Sequence, residues 1–347
     1  MRHLAAAIAV ASAVIATLGA VKQGGGNAMP SARDRLPQIA VKRVDVANGP
    51  LTLNDMETVR SGEAQPGWYG ISTLGSDGLL HPFIRCPDGV DWCGEIESVD
   101  WSPDGAWLAF GVSSVGVGNP YNGLHLFDPK TGEDRVIAEC HPYPGECDWH
   151  DIDWSPNGSK LAYVSNGDLV VIDSNGTGRR TLVADPDARS PSWSPDGRRL
   201  AFAHEWNGRF AVYLMRADGT HRQLLVDGAS APAWSPDGTS IAYRARCGGV
   251  KLVTPDGRDV TPDGRDVTPA AASSCHAIGI NGRPVWSPDG TKIAVAGTTT
   301  FGTGAPVRGT FVMNADGSGL ALVTTKAQGV YMGFDPRPAW RPIPRSR

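Results

Sequence analysis

Residues Trp193–Phe202 read WSPDGRRLAF, and this stretch decides the fold because close copies of it recur along the chain. Further copies begin at Trp101, Trp154, Trp234 and Trp286, and a degenerate copy begins at Trp340. Within each copy, Pro fixes the first corner of a turn, Asp bonds its own backbone, and Gly takes the positive φ that closes a hairpin. Each copy therefore predicts a strand, a tight turn and a second strand.

The spacing of the copies indicates how many strands each unit holds. Consecutive repeat tryptophans lie 53, 39, 41, 52 and 54 residues apart. Two further apolar runs follow most copies, such as Leu169–Asp173 and then Thr181–Val183, with a Gly-containing turn between them. Each unit thus predicts four strands, which we label A to D in chain order. This period, with no helical stretch between units, is typical of a β-propeller.

The motif WSPDG, followed by Leu or Ile, Ala and an aromatic residue, resembles the WD40-like repeat (PD40) of the TolB propeller. The resemblance covers roughly Trp68 to Trp340 and implies an all-β, six-bladed β-propeller of four-stranded antiparallel blades. Its sixth blade would take strands C and D from Tyr69–Ile84 and strand A from Pro338–Arg341, so that the N- and C-terminal strands close the ring. The same blade also occurs in peptidases, lyases and surface proteins, so the resemblance predicts fold more strongly than function.

The N-terminal segment has the features of a secretory signal peptide. Arg2 and His3 precede an apolar run, Leu4–Leu18, which is shorter than the ~20 residues of a membrane span. The expected organisation is a signal peptide at 1–28, an N-terminal extension at 29–66 and the propeller at 67–347, with small-residue exits at both Ala20 and Ala28. We therefore expect an exported monomer, periplasmic, cell-surface or secreted, with no membrane span in the mature chain.

The chain has six cysteines, which fit an oxidising compartment. Six cysteines allow fifteen pairings, and the positions of the repeats favour the loop-local one. The predicted disulfides are Cys86–Cys93, Cys140–Cys147 and Cys247–Cys275. Zinc binding is the rival interpretation, but CxxC spacing is absent.

The long connections of the repeat predict where a ligand binds. In a four-stranded blade the B-to-C and D-to-A connections share one face, and here they carry most of the excess length and many aromatic residues. Exposed aromatic rings beside polar groups suit a peptide or a sugar, whereas rings folded back over the blades would be local core. The predicted ligand-binding face comprises Trp92, Tyr121, His141, Tyr143, Trp149, His150, Trp206, Phe301, Tyr331 and Arg337.

Carboxylates on two consecutive inner strands form the second candidate site. Asp100 and Asp153 each precede a repeat Trp, and Asp151 lies on the same side of its strand. The interpretation we favour is a solvated polar channel in which Asp100 and Asp151 bond backbone amides. The sharper hypothesis is that Asp100, Asp151 and Asp153, together with His150, hold a Ca²⁺ ion or a cationic ligand group, because hard cations prefer carboxylate oxygens. No cofactor is required by either interpretation.

The function expected from these features is binding rather than catalysis. The chain contains no G-x-S-x-G nucleophile elbow, and a net charge of −4 with a pI near 6.1 argues against a nucleic-acid partner. We predict a protein- or peptide-binding scaffold at the cell envelope. The alternative is a carbohydrate-active propeller, a lyase or a lectin-like protein, which clustering of His141, His150 and His276 would favour.

Overall fold

The computed structural model describes twelve segments of the chain, all within a compact unit that spans Ile39–Arg347. The described residues are 51–57, 68–74, 80–85, 95–113, 122–139, 149–184, 187–246, 248–259, 278–280, 282–300, 306–322 and 339–340. Every regular element in these segments is a β-strand. The β-propeller class predicted by the repeat is confirmed.

Five antiparallel blades are built from consecutive strands. Blade 1 contains β4 (Glu95–Trp101), β5 (Leu108–Ser113), β6 (Gly123–Asp128) and β7 (Glu133–Glu139). Blade 2 contains β8 (His150–Trp154), β9 (Lys160–Ser165), β10 (Asp168–Asp173) and β11 (Arg180–Val183). Blade 3 contains β12 (Ala188–Trp193), β13 (Arg199–Trp206), β14 (Arg209–Arg216) and β15 (Gln223–Asp227). Blade 4 contains β16 (Ala229–Trp234), β17 (Ile241–Ala245) and β18 (Val250–Val253).

Blade 5 and a terminal sheet contain the remaining described strands. Blade 5 contains β19 (Ile278–Ile280), β20 (Val285–Trp286), β21 (Lys292–Thr300), β22 (Pro306–Asn314) and β23 (Ala321–Leu322). The terminal sheet contains β1 (Leu51–Glu57), β2 (Trp68–Leu74), β3 (Leu80–Arg85) and β24 (Ala339–Trp340). The sequence pattern did not predict β1, which pairs with β2 along its whole length.

The prediction of six four-stranded blades in a ring closed by the chain termini is wrong. The blades of consecutive strands number five among the described segments, and their strand counts differ. Blade 4 has three described strands, and residues 260–277, where its fourth was expected, lie outside the described segments. In blade 5 the inner strand is divided into β19 and β20, and both parts pair with β21, Ile280 with Gly297 and Val285 with Ala294. The terminal sheet joins β24 to β1 over two residue pairs only.

The WSPDG turn has the geometry that its residue types predict. In blade 3 the Gly197 amide donates to the Ser194 carbonyl at 2.8 Å, and Gly197 has φ of 69°. Asp196 Oδ1 accepts both the Ser194 hydroxyl at 2.6 Å and the Arg198 amide at 3.0 Å. These bonds favour the ionised carboxylate, so they hold the pKa of Asp196 below its ordinary value.

Successive turns also contact one another across the blade boundary. A Cβ placed on Gly158 would lie 3.8 Å from Pro103 Cδ, and one on Gly238 would lie only 3.0 Å from Pro195 Cγ. Gly197 is intermediate, with Pro156 Cγ at 3.4 Å. The Pro of one turn therefore fits against the Gly of the next.

The hydrophobic core lies between the blades. Leu169 of blade 2 packs with Trp193 and Phe202 of blade 3, and Ala201 of blade 3 packs with Trp234 and Tyr243 of blade 4. These side chains are 0–7% exposed. The repeat tryptophans of blades 3 and 4 and the small Ala201 after the turn therefore pack between blades.

The Pro–Gly contact between turns is testable with matched Ala substitutions. Gly208 has φ of 74°, and a methyl group added there would have no neighbour within 4 Å, so Gly208→Ala measures the backbone cost alone. That cost is about 1–2 kcal/mol for a residue forced into the left-handed region. We expect Gly158→Ala to lower the free energy of unfolding by the same amount as Gly208→Ala. Gly238→Ala should lower it further, because Pro195 must move to admit the methyl group. Urea denaturation of the three variants measures this, and equal losses would show that the contact does not hold adjacent turns together.

Candidate functional site

The inner strands of all five blades meet around a cavity of about 210 Å³, which we call the inner cavity. Each of these strands ends at a repeat Trp, and the residue before the Trp lines the cavity in every blade. The lining includes Asp100, Asp153, Ser192, Ala233 and Val285 at that position, together with Arg283 and the indoles of Trp154, Trp193, Trp234 and Trp286.

The side chain before each repeat Trp links its blade to the next one. Asp100 Oδ2 accepts the Trp154 amide at 2.9 Å, and Asp153 Oδ2 accepts the Trp193 amide at 2.7 Å. In blade 3 the neutral hydroxyl of Ser192 accepts the Trp234 amide at 3.1 Å. A carboxylate and a hydroxyl thus make the same inter-blade bond.

A second row of links lies three residues before each repeat Trp, at a bulge in the inner strand. Ser98 Oγ accepts the Ile152 amide at 3.0 Å, and Asp151 Oδ2 accepts the Ser190 amide at 2.6 Å. Asp151, Ser190 and Ala231 all have positive φ, of 62°, 50° and 52°. A positive φ costs conformational free energy for a residue with a Cβ, so the backbone at the bulge is strained. Hydrogen bonds to the next blade, such as the one between Asp151 and the Ser190 amide, offset this cost.

Arg283 is the basic group of the inner cavity. It precedes β20 in blade 5, and its Nη2 donates to Asp153 Oδ1 of blade 2 at 2.6 Å. Its side chain is 10% exposed and that of Asp153 is 17% exposed, so solvent screens this ion pair weakly. The pair therefore joins two blades that are not consecutive in the chain.

The pKa values of Asp100 and Asp153, the two carboxyls of the cavity, are both raised. Enclosure by the surrounding protein and then the charge of Asp153 raise the pKa of Asp100 to about 7, while the Trp154 amide and Arg283 oppose the rise. Burial also raises the pKa of Asp153 above its ordinary value, against the opposing effects of Arg283 and the Trp193 amide. Near neutral pH the two carboxyls therefore hold less than two full negative charges.

The structure brings two of the three predicted metal ligands together. Asp100 and Asp153 both line the inner cavity, whereas Asp151 is 1% exposed and faces Ser190, with which it also shares a side-chain contact of 3.3 Å. Among the described residues, no three His, Cys, Asp or Glu side chains are grouped closely enough to hold a metal ion. The bonds of Asp100 and Asp151 to backbone amides are those of the polar-channel interpretation.

Three residues of the predicted ligand-binding face lie in the described segments. Trp149 is 2% exposed and packs with Tyr163 in the core, and His150 is half-buried at the start of β8. Trp206 is 66% exposed. Trp92, Tyr121, His141, Tyr143, Phe301, Tyr331 and Arg337 lie outside the described residues, as do His276 and all six cysteines.

Trp206 lies at the tip of the β13–β14 hairpin and continues a row of stacked rings. Its indole stacks with His204 at 6.4 Å between centroids, and His204 meets Tyr213 edge-on at 6.1 Å. The Asn207–Gly208 turn has φ of 49° and 74°, as a type I′ hairpin requires. The His204 ring and the Asn207–Gly208 turn therefore fix the position of the exposed Trp206 indole.

Sequence reasoning missed how the polar groups of the cavity pair. Neither Arg283 nor Ser192 was among the predicted site residues. The signal for Ser192 was its position before a repeat Trp, which it shares with Asp100 and Asp153. No local signal pairs Arg283 with Asp153, because 130 residues separate them.

Comparison with known proteins agrees with this architecture. Residues 152–253 match the model of the family described as PD40, TolB beta propeller domain. An uncharacterised protein of Agrobacterium fabrum, Atu1656, is 28% identical over 173 residues, which is 45% of this chain and 54% of that protein. The chain thus spans about half the length of this curated relative.

Solved structures show the same fold at low sequence identity. TolB from Acinetobacter baumannii is 18% identical, with a TM-score of 0.60 over 84% of this chain and 67% of that one. A protein assigned as TolB from Agrobacterium tumefaciens is also 18% identical, with a TM-score of 0.55 over 83% and 92%.

No helix in the described segments combines the length and the hydropathy that a membrane span needs.

The repeat motif, the inter-blade links and the match to residues 152–253 agree with one another. Residues 152–253 therefore carry the PD40 repeat of TolB beta propeller domains.

Proposed function

We propose that the chain is a non-enzymatic binding or scaffold propeller at the cell envelope, which holds a positively charged side chain of a partner protein or peptide against Asp100 and Asp153. The proposal rests on the inner cavity and on the charge that its inner strands place there. A volume of about 210 Å³ accommodates one or two side chains and is too small for a folded domain.

The observation that carries the proposal is the equivalence of Ser192 with the two aspartates. Ser192 makes the inter-blade bond with a neutral hydroxyl, so the fold does not need a carboxylate at this position. Two neighbouring carboxyls in a partly enclosed cavity cost free energy through desolvation and mutual repulsion. A cationic group that enters the cavity would offset both costs, and it would do so by competing with Arg283 for Asp153.

Ca²⁺ is the alternative occupant of the same carboxylates. Two carboxylates suit a hard cation, although the third, Asp151, bonds the Ser190 amide instead. The proposal also includes export of the chain to the cell envelope. The N-terminal charged start and the apolar run Leu4–Leu18 support passage through a secretory route. Fold similarity to TolB propellers supports a role in binding proteins and leaves the partner to experiment.

A glycan-binding role is the second candidate, because of Trp206. Its exposed indole, fixed by the stack with His204, offers a flat apolar face of the kind that packs against a sugar ring. Arg209 pairs with Trp206 across the hairpin and adds a hydrogen-bond donor beside it. This surface is separate from the inner cavity, so the two candidates are distinguishable by mutation.

The peptide proposal predicts the selectivity of the cavity. A peptide display library panned on the wild-type chain should enrich Lys- or Arg-containing peptides, and Asp100→Ser with Asp153→Ser should abolish that enrichment while preserving the inter-blade bonds. Asp227→Ser, which removes an exposed acid of β15, is the control and should bind as wild type does. Panning with about 5 mM Ca²⁺ and with chelator tests the metal alternative. Enrichment that the double variant retains would refute the proposal.

The raised pKa of Asp100 predicts a pH dependence of stability. Asp100 keeps its proton up to about pH 7 in the folded chain, whereas it releases the proton near pH 3.8 in the unfolded chain. The stabilisation that this difference in proton binding gives the folded chain is complete below pH 3.8 and is lost as the pH rises through 7. At ~1.4 kcal/mol per pKa unit, the loss is a few kcal/mol at most. Asp153 and Arg283, the charged groups that act on Asp100, remain in the variant Asp100→Ser.

Thermal unfolding of the wild type and of Asp100→Ser between pH 4 and 8 measures this dependence. We expect the Tm of the variant to rise relative to wild type across that interval. The turn aspartates, such as Asp196, have lowered pKa values and act in the opposite direction, but they are common to both proteins and cancel in the difference. Parallel Tm curves would show that Asp100 is ionised throughout.

The glycan alternative predicts a separate effect at the hairpin. Trp206→Ala should remove binding on a glycan array and leave the Tm within about 2 °C, because a side chain this exposed contributes little to the core. Leu224→Ala, which truncates a side chain that is 55% exposed on β15, is the matched control. A wild-type chain that binds no glycan, or a variant that binds as wild type does, would exclude this role for Trp206.

A further inference from the structure

A second and larger cavity, of about 430 Å³, lies between blades 1 and 2 beside their WSPDG and WSPNG turns. Its walls come from Asp104 and Trp107 of blade 1, from Arg135 on β7, and from Pro156, Asn157 and Ser174 of blade 2. We call it the turn cleft. Its size is that of a small-molecule site, and it shares only the buried Trp154 with the lining of the inner cavity.

Arg135 gives the turn cleft a positioned cationic group. Its guanidinium carbon lies 4.1 Å from the centre of the Trp107 ring, so the guanidinium is held over the indole face. Its only described charged partner is Glu133, at 3.6 Å from Nε, and both of these side chains are about half exposed. The Nη groups have no described hydrogen-bond partner and are available to a ligand.

Asn157 changes the chemistry of the facing turn. In the other WSPDG turns this position is Asp, as in Asp196, whose Oδ1 accepts Ser194 and Arg198. Asn157 makes the same turn, because its Oδ1 accepts the Ser155 hydroxyl at 2.9 Å and the Ser159 amide at 3.1 Å. The hydrogen bond from the Ser159 backbone N–H identifies the Asn157 side-chain atom that accepts it as the oxygen. The other side-chain atom of Asn157 is therefore an NH₂ donor, at the position where the other turns have a second carboxylate oxygen.

The turn cleft therefore has hydrogen-bond donors on both of its walls. Arg135, the side-chain NH₂ of Asn157 and the hydroxyl of Ser174 can donate, and Trp107 and Pro156 supply apolar surface. On the blade 1 wall, Asp104 Oδ1 is occupied by Ser102 at 2.6 Å and by the Ala106 amide at 3.0 Å, which leaves Oδ2 as an acceptor for a ligand hydroxyl. An Asp at position 157 would place a second carboxylate in the cleft and repel an anion.

We propose that the turn cleft binds a small organic anion, in which a carboxylate or phosphate group pairs with Arg135 and Asn157 and a hydroxyl-bearing body lies against Trp107. Charge-assisted bonds from a guanidinium are the strongest that this cleft can offer, and the stacking on Trp107 reduces the entropy lost when the guanidinium is fixed. This site is independent of the proposed function, which concerns the inner cavity.

Isothermal titration calorimetry of the full chain at constant ionic strength tests the proposal, with gluconate, glycerol 2-phosphate, inorganic phosphate and neutral glycerol as probes. Binding of gluconate alone would identify a carboxylate ligand, and binding of glycerol 2-phosphate would identify a phosphate ester. We expect Arg135→Gln and Asn157→Asp each to lower the affinity for the anion by about tenfold or more. Asn157→Asp recreates the residue of the other turns, so the fold should be preserved, and a thermal melt checks this.

Asp196→Asn is the matched control, because it makes the reverse exchange at the equivalent position of the blade 3 turn, away from Arg135. It should leave anion affinity unchanged. The proposal is overturned if neither organic anion binds the wild type, if only inorganic phosphate binds, or if Asn157→Asp and Arg135→Gln bind as tightly as wild type.

Discussion

The blades depend on one constraint: the inner strands of neighbouring blades belong to separate sheets, yet the amide of each repeat Trp is enclosed between them and needs an acceptor. In three successive junctions the side chain before the preceding Trp supplies it, from Asp100, Asp153 and Ser192. At the next junction that position is Ala233, whose carbonyl accepts the Trp286 indole at 3.1 Å, as the Asp100 carbonyl accepts the Trp154 indole at 3.2 Å. Each of these junctions is thus closed by a polar contact beside the apolar core.

The features that the sequence predicts correctly are the local ones. The turn at Ser194–Gly197 is specified by adjacent residues, and the apolar strands that flank it repeat with it. The number and size of the blades depend on less regular segments. The inner strand of blade 5 is divided into β19 and β20, and β1, with the sequence LTLNDME, loses its apolar alternation after Leu53. Pairing with β2 determines its conformation.

The candidate sites show the same division. The repeat pattern placed Asp100 and Asp153 side by side on inner strands, and the structure brings both to one cavity. It gave Asp151 the same direction, but the bulge at φ of 62° turns this residue toward Ser190. The turn cleft was missed because ligand binding was assigned to the face with the long connections, although the single Asn in WSPNG was visible in the sequence.

The equivalence of Ser192 with Asp100 and Asp153 has a consequence for how such a repeat diversifies. An exchange between Ser and Asp at this position alters the electrostatic potential of the interior surface and leaves the backbone register untouched. Architecture and recognition are therefore encoded by different properties of the same side chain: its oxygen builds the blade junction, and its charge sets what the interior attracts. Duplicated blades can therefore differ in the charge that they present to the interior while each junction keeps its hydrogen bond.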